Sequence, residues 1–186
     1  WGLDNTGQIV NDTIGYAGKD ISAVEAWDVF SRNDNSVVVA VLDTGVEYNH
    51  TDLVNQMWDG TSCLSDTGNA LGGCIHGYDF QDNDKDPSPI SIQLGDIGSP
   101  PHGTHIAGTI AARKNNGAGV IGVAPSAKIM ALKSSLTSSE IIRAINFAKN
   151  NGSKIINASF GGKSYDSALY TAINNFPGLF ITSAGN

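Results

Sequence analysis

The sequence lacks the features by which a chain binds nucleic acid or crosses a membrane. No apolar run approaches the roughly 18–20 residues that a membrane-spanning helix needs. Basic residues are few, because 11 Lys and Arg stand against 18 Asp and Glu, for a formal net charge of −7. Nucleic-acid and anionic-membrane surfaces need clustered Lys and Arg, so we expect neither partner. The opening residues also lack a basic and apolar leader, so we expect any signal peptide or pro-segment to be absent from this chain.

Cysteine is scarce as well, since the chain has only Cys63 and Cys74. No CxxC or paired Cys/His spacing accompanies them, which argues against a zinc site. In an oxidising compartment the two could form a disulfide, which would stabilise the fold by about 3 kcal/mol in the chain-entropy model. Two free thiols in a cytosolic protein are the alternative, and we favour the disulfide.

Apolar runs alternate along the chain with amphipathic segments. Strands buried on both faces are predicted at 36–42, 128–132, 154–158 and 179–183. A capping box at 137–140 predicts a helix with Ile141, Ile145 and Ala148 on one face, and 169–176 carries a second apolar stripe. The polar segment 59–101 predicts loops that could include one hairpin. This order indicates an α/β fold with a parallel sheet flanked by helices, and we see no linker that would divide residues 1–186.

Three polar residues follow predicted strands or open a predicted helix, where an open parallel sheet usually carries its reactive groups. Asp43 ends the first buried strand, although turns and caps also favour Asp. His102 opens a segment of small residues, and a helix N-terminus favours the neutral imidazole that a general base requires. Asn186 follows the last strand, where its amide could donate to a developing oxyanion or simply form a turn.

Together these segments resemble the subtilisin-like serine proteases, the subtilases, from about residue 27 to 186. The motif at 102–108, His-Gly-Thr-His-Ile-Ala-Gly, is highly specific for that family, and the Asp43 segment and the Gly-Asn ending match its pattern in order. The resemblance implies that Asp43 orients His102, that His102 is the general base, and that Asn186 is the oxyanion donor. It also implies that Ser159, Phe160 and Gly161 bind a peptide or protein substrate, and that the protein is secreted or lumenal.

The resemblance further implies calcium as cofactor. Four carboxylates within eight residues resemble the calcium loop of thermitase-like subtilases, with a solvated acidic loop as the alternative. The predicted ligands there are Asp79, Asp82, Asp84 and Asp86. A second predicted site combines Asp52 with the Asn116 side chain and the carbonyl groups of Lys114, Ala118 and Val120. The family also takes a ligand from the N-terminal arm, and the candidate here is Asp4.

The family's nucleophilic serine follows the oxyanion Asn, and this sequence stops at Asn186. We therefore expect an incomplete subtilase catalytic domain, residues 1–186, without the last strands and the serine-bearing helix. Such a chain would be inactive alone, with a C-terminal remainder or a pro-segment as a candidate partner. Gly60-Thr61-Ser62 resembles the serine motif only superficially. The connection at 134–138 is shorter than the family's, which affects the outer subsites.

Two other functions remain open from the sequence. A subtilase-like chain without catalysis would bind peptides or regulate an active partner. A metal-dependent hydrolase would use Asp43, His102 and His105, although the resemblance makes His105 structural.

Overall fold

The computed structural model describes residues 2–29, 37–89 and 101–185, and the chain divides into two compact units, Trp1–Asp34 and Asn35–Asn186. In the first unit a two-stranded antiparallel hairpin joins β1 (Ile9–Val10) to β2 (Thr13–Ile14), and α1 covers Ala23–Val29. Asn11 and Asp12 turn the hairpin with positive φ angles of 48° and 61°. These are the left-handed values that a two-residue turn requires, and Asn and Asp tolerate them better than most residues.

The second unit is built on a parallel sheet. Among its described residues, the strands are β3 (Val38–Asp43), β4 (Gly77–Asp79), β5 (Lys128–Lys133), β6 (Ile155–Ala158) and β7 (Leu179–Thr182). They lie in the order β4-β5-β3-β6-β7, and every neighbouring pair is parallel. Three helices accompany them, namely α2 (His102–Ala111), α3 (Ser138–Asn150) and α4 (Ser167–Asn174).

Alternation along the strands divides the core between the two faces of the sheet. Ala40, Leu42 and Met130 belong to one cluster, which includes the apolar face of α3. Val41 and Ile129 point to the opposite face and pack in a second cluster with the small residues of α2. Because successive side chains of a strand point to opposite faces, the runs must be apolar at every position. The predicted sheet, the flanking helices and the two-faced burial of the central strands are confirmed.

Two predictions of the strand pattern are wrong. The segment 59–101 was expected to form loops that could include one hairpin, but Gly77–Asp79 within it pairs in parallel with β5 as an edge strand, and residues 90–100 of the segment lie outside the described residues. β7 was expected to be buried on both faces, whereas Leu179 is 62% and Ile181 49% exposed at the other edge of the sheet. Burial of an apolar run depends on what covers its position in the sheet, and composition alone does not carry that information.

The capping box before α3 forms only in part. Thr137 accepts a hydrogen bond from the backbone N–H of Glu140, as predicted. The carboxylate of Glu140 does not return to Thr137 but accepts from the hydroxyl of Ser134 at 2.9 Å and from the N–H of Ser135. The Glu140 carboxylate therefore holds the short connection at 134–137 against the N-terminus of α3.

The N-terminus of α4 provides a test of the fold through pH. Asp166 caps this helix by accepting from the N–H groups of Ala168 and Leu169 at 2.9 and 3.1 Å. A hydrogen bond from Ser138, together with these two, lowers the pKa of Asp166 below its ordinary value of 3.8. Its stabilising effect is therefore complete above pH 3.8 and disappears as the pH falls through the lower, folded-state pKa.

We predict that Asp166→Ala lowers the thermal unfolding midpoint near neutral pH, and that this difference shrinks as the pH is lowered below 3.8. Asp166→Asn is the matched variant, because it keeps the capping oxygen without the charge. It should lose less stability than Asp166→Ala near neutral pH. Unfolding followed by circular dichroism across the pH range measures both effects. A difference between wild type and Asp166→Ala that is constant with pH would contradict the charged cap.

Candidate active site

The centre of the site is a contact between the end of β3 and the start of α2. Asp43 is the last residue of β3 and only 3% exposed, and His102 is the first residue of α2. The Nδ1 atom of His102 lies 2.9 Å from both Oδ1 and Oδ2 of Asp43. The prediction that these two residues are neighbours is confirmed.

Close packing of the backbone makes this contact possible. A Cβ atom on Gly103 would clash with the carbonyl oxygen of Gly45 and with the Cβ of Asp43, so only glycine lets the helix start against the strand end. Gly45 itself has a φ of 103°, which favours glycine. The glycine that follows the histidine in the motif therefore has a steric reason for its identity.

Asp43 also forms hydrogen bonds with Thr44 and Ser134. One oxygen accepts from the backbone N–H of Thr44 at 2.8 Å and from the Thr44 hydroxyl at 3.2 Å. The carbonyl oxygen of Asp43 accepts from the N–H of Ser134 beyond the neighbouring strand β5. A buried carboxylate is costly unless donors surround it, and Thr44 and His102 supply the donors to this one.

The imidazole of His102 is oriented for proton transfer. Because the acceptor Asp43 faces Nδ1, the proton of the neutral ring resides on Nδ1 and leaves Nε2 as an acceptor. The His102 side chain is 51% exposed. His105, one helical turn on, is also exposed.

The predicted substrate-binding segment follows β6, the strand next to β3. Ser159 and Phe160 are half-buried and Gly161 is exposed. The Ser159 hydroxyl accepts from the Asn157 amide at 2.8 Å, and the Phe160 carbonyl accepts from the Thr182 hydroxyl at 2.7 Å. These contacts fix the segment at the same carboxyl edge of the sheet as Asp43. The predicted oxyanion donor, Asn186, lies outside the described residues.

The Asp52 side chain packs against loop 114–120, whose residues were predicted to share a calcium ion with it. Its carboxylate is 3% exposed and accepts from the Asn116 amide at 2.6 Å and from the N–H of Val120 at 2.9 Å. These hydrogen bonds lower the pKa of Asp52. A Cβ on Gly119 would collide with the carboxylate, so the loop forms a close cradle around it. The other two predicted ligands on this loop are Lys114 and Ala118. A buried carboxylate beside an Asn side chain is a donor set that calcium uses in proteins, but here both oxygens of Asp52 accept N–H groups, and Val120 meets the carboxylate through N–H and not through the predicted carbonyl.

The acidic segment at 79–86 does not fit calcium in the same way. Asp79 forms a buried ion pair with Lys133, with 2.7 Å between Oδ2 and Nζ, and the sequence reasoning did not foresee this partner. Asp82 lies 3.4 Å from the same ammonium group, and Asp84 and Asp86 accept separate backbone hydrogen bonds. Across residues 2–29, 37–89 and 101–185, no three His, Cys, Asp or Glu side chains are grouped to hold a metal ion. The metal-hydrolase alternative with Asp43, His102 and His105 therefore has no support in this part of the chain.

The two cysteines are bonded to each other, which confirms the favoured alternative. Cys63 is buried in the cluster that includes α3. Leu64, next to it, exchanges backbone hydrogen bonds with the Asn151 side chain at the end of that helix. The disulfide thus closes a loop that packs on α3.

Comparison with known proteins establishes the family. The model of the Subtilase family matches residues 34–186. Thermitase from Thermoactinomyces vulgaris is 34% identical over 179 residues, covering 92% of this chain and 54% of thermitase. The minor extracellular protease Vpr from Bacillus subtilis is 36% identical over 178 residues, covering 89% of this chain and 19% of Vpr. The solved structure of a protease from Pseudoalteromonas arctica superposes with a TM-score of 0.69 at 30% identity, covering 90% of this chain and 54% of that chain.

The chain belongs to the Subtilase family. It spans about half the length of thermitase and less of Vpr. The described residues include no helix of the length and apolarity that a membrane span requires.

The contact between Asp43 and His102 predicts a specific imidazole tautomer. In the wild type, ¹⁵N NMR of the neutral ring should show the proton on Nδ1 of His102. Asp43→Asn can offer Nδ1 an N–H group in place of an oxygen, so the tautomer should become mixed or reverse. His105 on the same helix is the internal control and should not change. An Nε2–H tautomer of His102 in the folded wild type would contradict the assigned geometry.

Proposed function

We propose that this chain supplies the acid and the base of a serine endopeptidase that hydrolyses peptide bonds. The observation that carries the proposal is the placement of His102 Nδ1 at 2.9 Å from both oxygens of the buried Asp43. Membership of the Subtilase family supports it, because that family combines these groups with a serine nucleophile.

His102 is the proton carrier in the proposed mechanism. Its Nδ1–H donates to Asp43, so Nε2 takes the proton of the nucleophilic hydroxyl when the serine attacks the scissile carbonyl. The ring becomes an imidazolium, which the buried carboxylate stabilises without accepting the proton. His102 then gives the proton to the leaving amine. The serine is not among the described residues, and the amide of Asn186 remains our predicted donor to the oxyanion.

The substrate is proposed to be a peptide that lies in extended form along residues 159–161. Phe160 and Gly161 follow the carboxyl end of β6, so a strand added there runs past the end of β3, where Asp43 and His102 meet. In this binding mode, main-chain hydrogen bonds hold peptides of many different sequences, and the pockets for the peptide side chains determine which sequences are preferred.

Calcium is proposed at the Asp52 loop. Asp52 and the side-chain oxygen of Asn116 would hold the ion, together with the carbonyl groups of Lys114, Ala118 and Val120. The ion would neutralise the buried carboxylate and stabilise the folded loop, since a ligand that binds only the native state raises its stability. The Asn116 amide would have to rotate for its oxygen to bind the ion, because its nitrogen faces the carboxylate here and its oxygen accepts from the N–H of Ala118.

Secretion is proposed as well. The disulfide between Cys63 and Cys74 supports it, because structural disulfides persist in oxidising compartments. The similarity to Vpr, which is named an extracellular protease, also supports secretion.

A chimera tests the proposed activity. Residues 1–186 are joined to the part of thermitase that follows the matched region, and hydrolysis of a generic peptide substrate is measured. We expect turnover that is blocked by serine-directed reagents. His102→Ala and Asp43→Asn should each reduce it by about 10⁴-fold or more, which is the loss established for subtilisin and not a value derived from this structure.

The matched control for the chimera is His105→Ala, which removes an exposed histidine from the same helix and should retain most activity. Turnover that survives in the His102→Ala variant would contradict the assigned base. A folded but inactive chimera that binds peptides at residues 159–161 would instead favour a non-catalytic peptide-binding role.

A further inference from the structure

The ion pair between Lys133 and Asp79 is almost completely removed from solvent. Their side chains are 7% and 1% exposed, and Lys133 Nζ lies 2.7 Å from Asp79 Oδ2. A charge that is buried to this degree is stable only beside a group of opposite charge, and the Asp79 carboxylate is that group.

Strand register puts this pair in place. Lys133 ends β5 and is the partner of Asp79 on β4 and of Asp43 on β3. Residues in register on parallel strands point to the same face of the sheet, so an acid, a base and an acid form one row across three strand ends. The lysine turns towards Asp79, while Asp43 is engaged by His102.

Both carboxylate oxygens of Asp79 already have partners within the protein. Its Oδ1 accepts from the backbone N–H groups of Gln81 and Asp82 at 2.8 and 3.0 Å, and its Oδ2 is the partner of Lys133. Two main-chain hydrogen bonds between Asp79 and Asp84 close the turn. A cation that bound Asp79 would have to displace the ammonium group and open these contacts.

The other carboxylates of the loop point to separate partners. Asp84 accepts from the N–H of Asp86, and Asp86 accepts from the N–H of Ser88 and from the hydroxyl of Tyr48. Arg143 approaches from α3 and donates to the side chain of Asn83 at 2.7 Å. The loop is thus organised by caps and by two basic side chains from neighbouring elements.

We propose that Lys133 is the resident cation of the 79–86 loop and that this loop folds without calcium. This disagrees with the metal site that the carboxylate spacing and the family resemblance predict. It does not depend on the proposed peptidase activity, and it leaves the Asp52 loop as the calcium candidate. The residue that takes the place of the metal is Lys133, at the end of the apolar strand β5.

Backbone amide NMR of the 186-residue chain tests this directly. Calcium chloride is titrated into the calcium-free protein, and the ¹H–¹⁵N resonances of residues 79–86 are followed. We expect these resonances not to move at calcium concentrations up to about 1 mM, the weak end of protein calcium sites. Saturable movement of the 79–86 amides in the wild type would overturn the proposal.

Substitution of the lysine provides the second measurement. Lys133→Met leaves Asp79 as an unpaired buried charge, so in EDTA the unfolding midpoint should fall by roughly 10 °C. Calcium should restore part of this loss in Lys133→Met, and Asp84→Ala in that background should abolish the restoration. Lys133→Arg keeps the charge and should behave like the wild type.

The matched control is Lys154→Met, which removes the same charge from an exposed position and should change the midpoint little. A Lys133→Met protein as stable as this control would overturn the proposal. If Lys133→Met does not fold, the unfolding midpoints of the wild type, Lys133→Arg and Asp84→Ala are compared with and without calcium. A rise in the wild-type midpoint with calcium that is absent in Asp84→Ala would contradict the proposal that Lys133 takes the place of the metal.

Discussion

The burial of the Asp43 carboxylate is the constraint on which the site depends. An ionised group that is only 3% exposed must be surrounded by donors, and here Thr44 and the imidazole of His102 provide them. The helix that carries His102 can reach the strand end only because Gly103 has no side chain. The need of the carboxylate for donors and the close packing at Gly103 thus both place the start of α2 against the end of β3. This placement sets the orientation of the His102 imidazole.

The same principle organises the neighbouring strand end in a different way. Asp79 is as deeply buried as Asp43, and its partner is a lysine from the adjacent strand. Two acids on one sheet edge therefore have different partners, an imidazole and an ammonium group. The first pair leaves Nε2 of the imidazole as an acceptor, while the second pair joins two neighbouring strands.

Much of the sheet could be predicted from the sequence because parallel strands buried on both faces leave a strong apolar pattern. The pairing of Asp43 with His102 could be predicted because the motif at 102–108 is specific. β4 could not be predicted, since three residues of Gly-Tyr-Asp in a polar segment have no periodicity to detect. The partner of Asp79 was missed for a similar reason, because a lysine at the end of an apolar run normally reaches solvent. Its burial depends on the register between β4 and β5, which is a tertiary property.

A double-mutant cycle between Asp43 and His102 tests the central claim most directly. The free energy of unfolding is measured by urea denaturation for the wild type, Asp43→Ala, His102→Ala and the double variant. The cycle removes the separate contributions of Thr44 and of the helix start, and leaves the coupling between the two side chains. We predict a coupling free energy of about 0.5–3 kcal/mol, as expected for two groups that share a buried hydrogen bond. Additive effects of the two substitutions would contradict the contact on which the candidate active site rests.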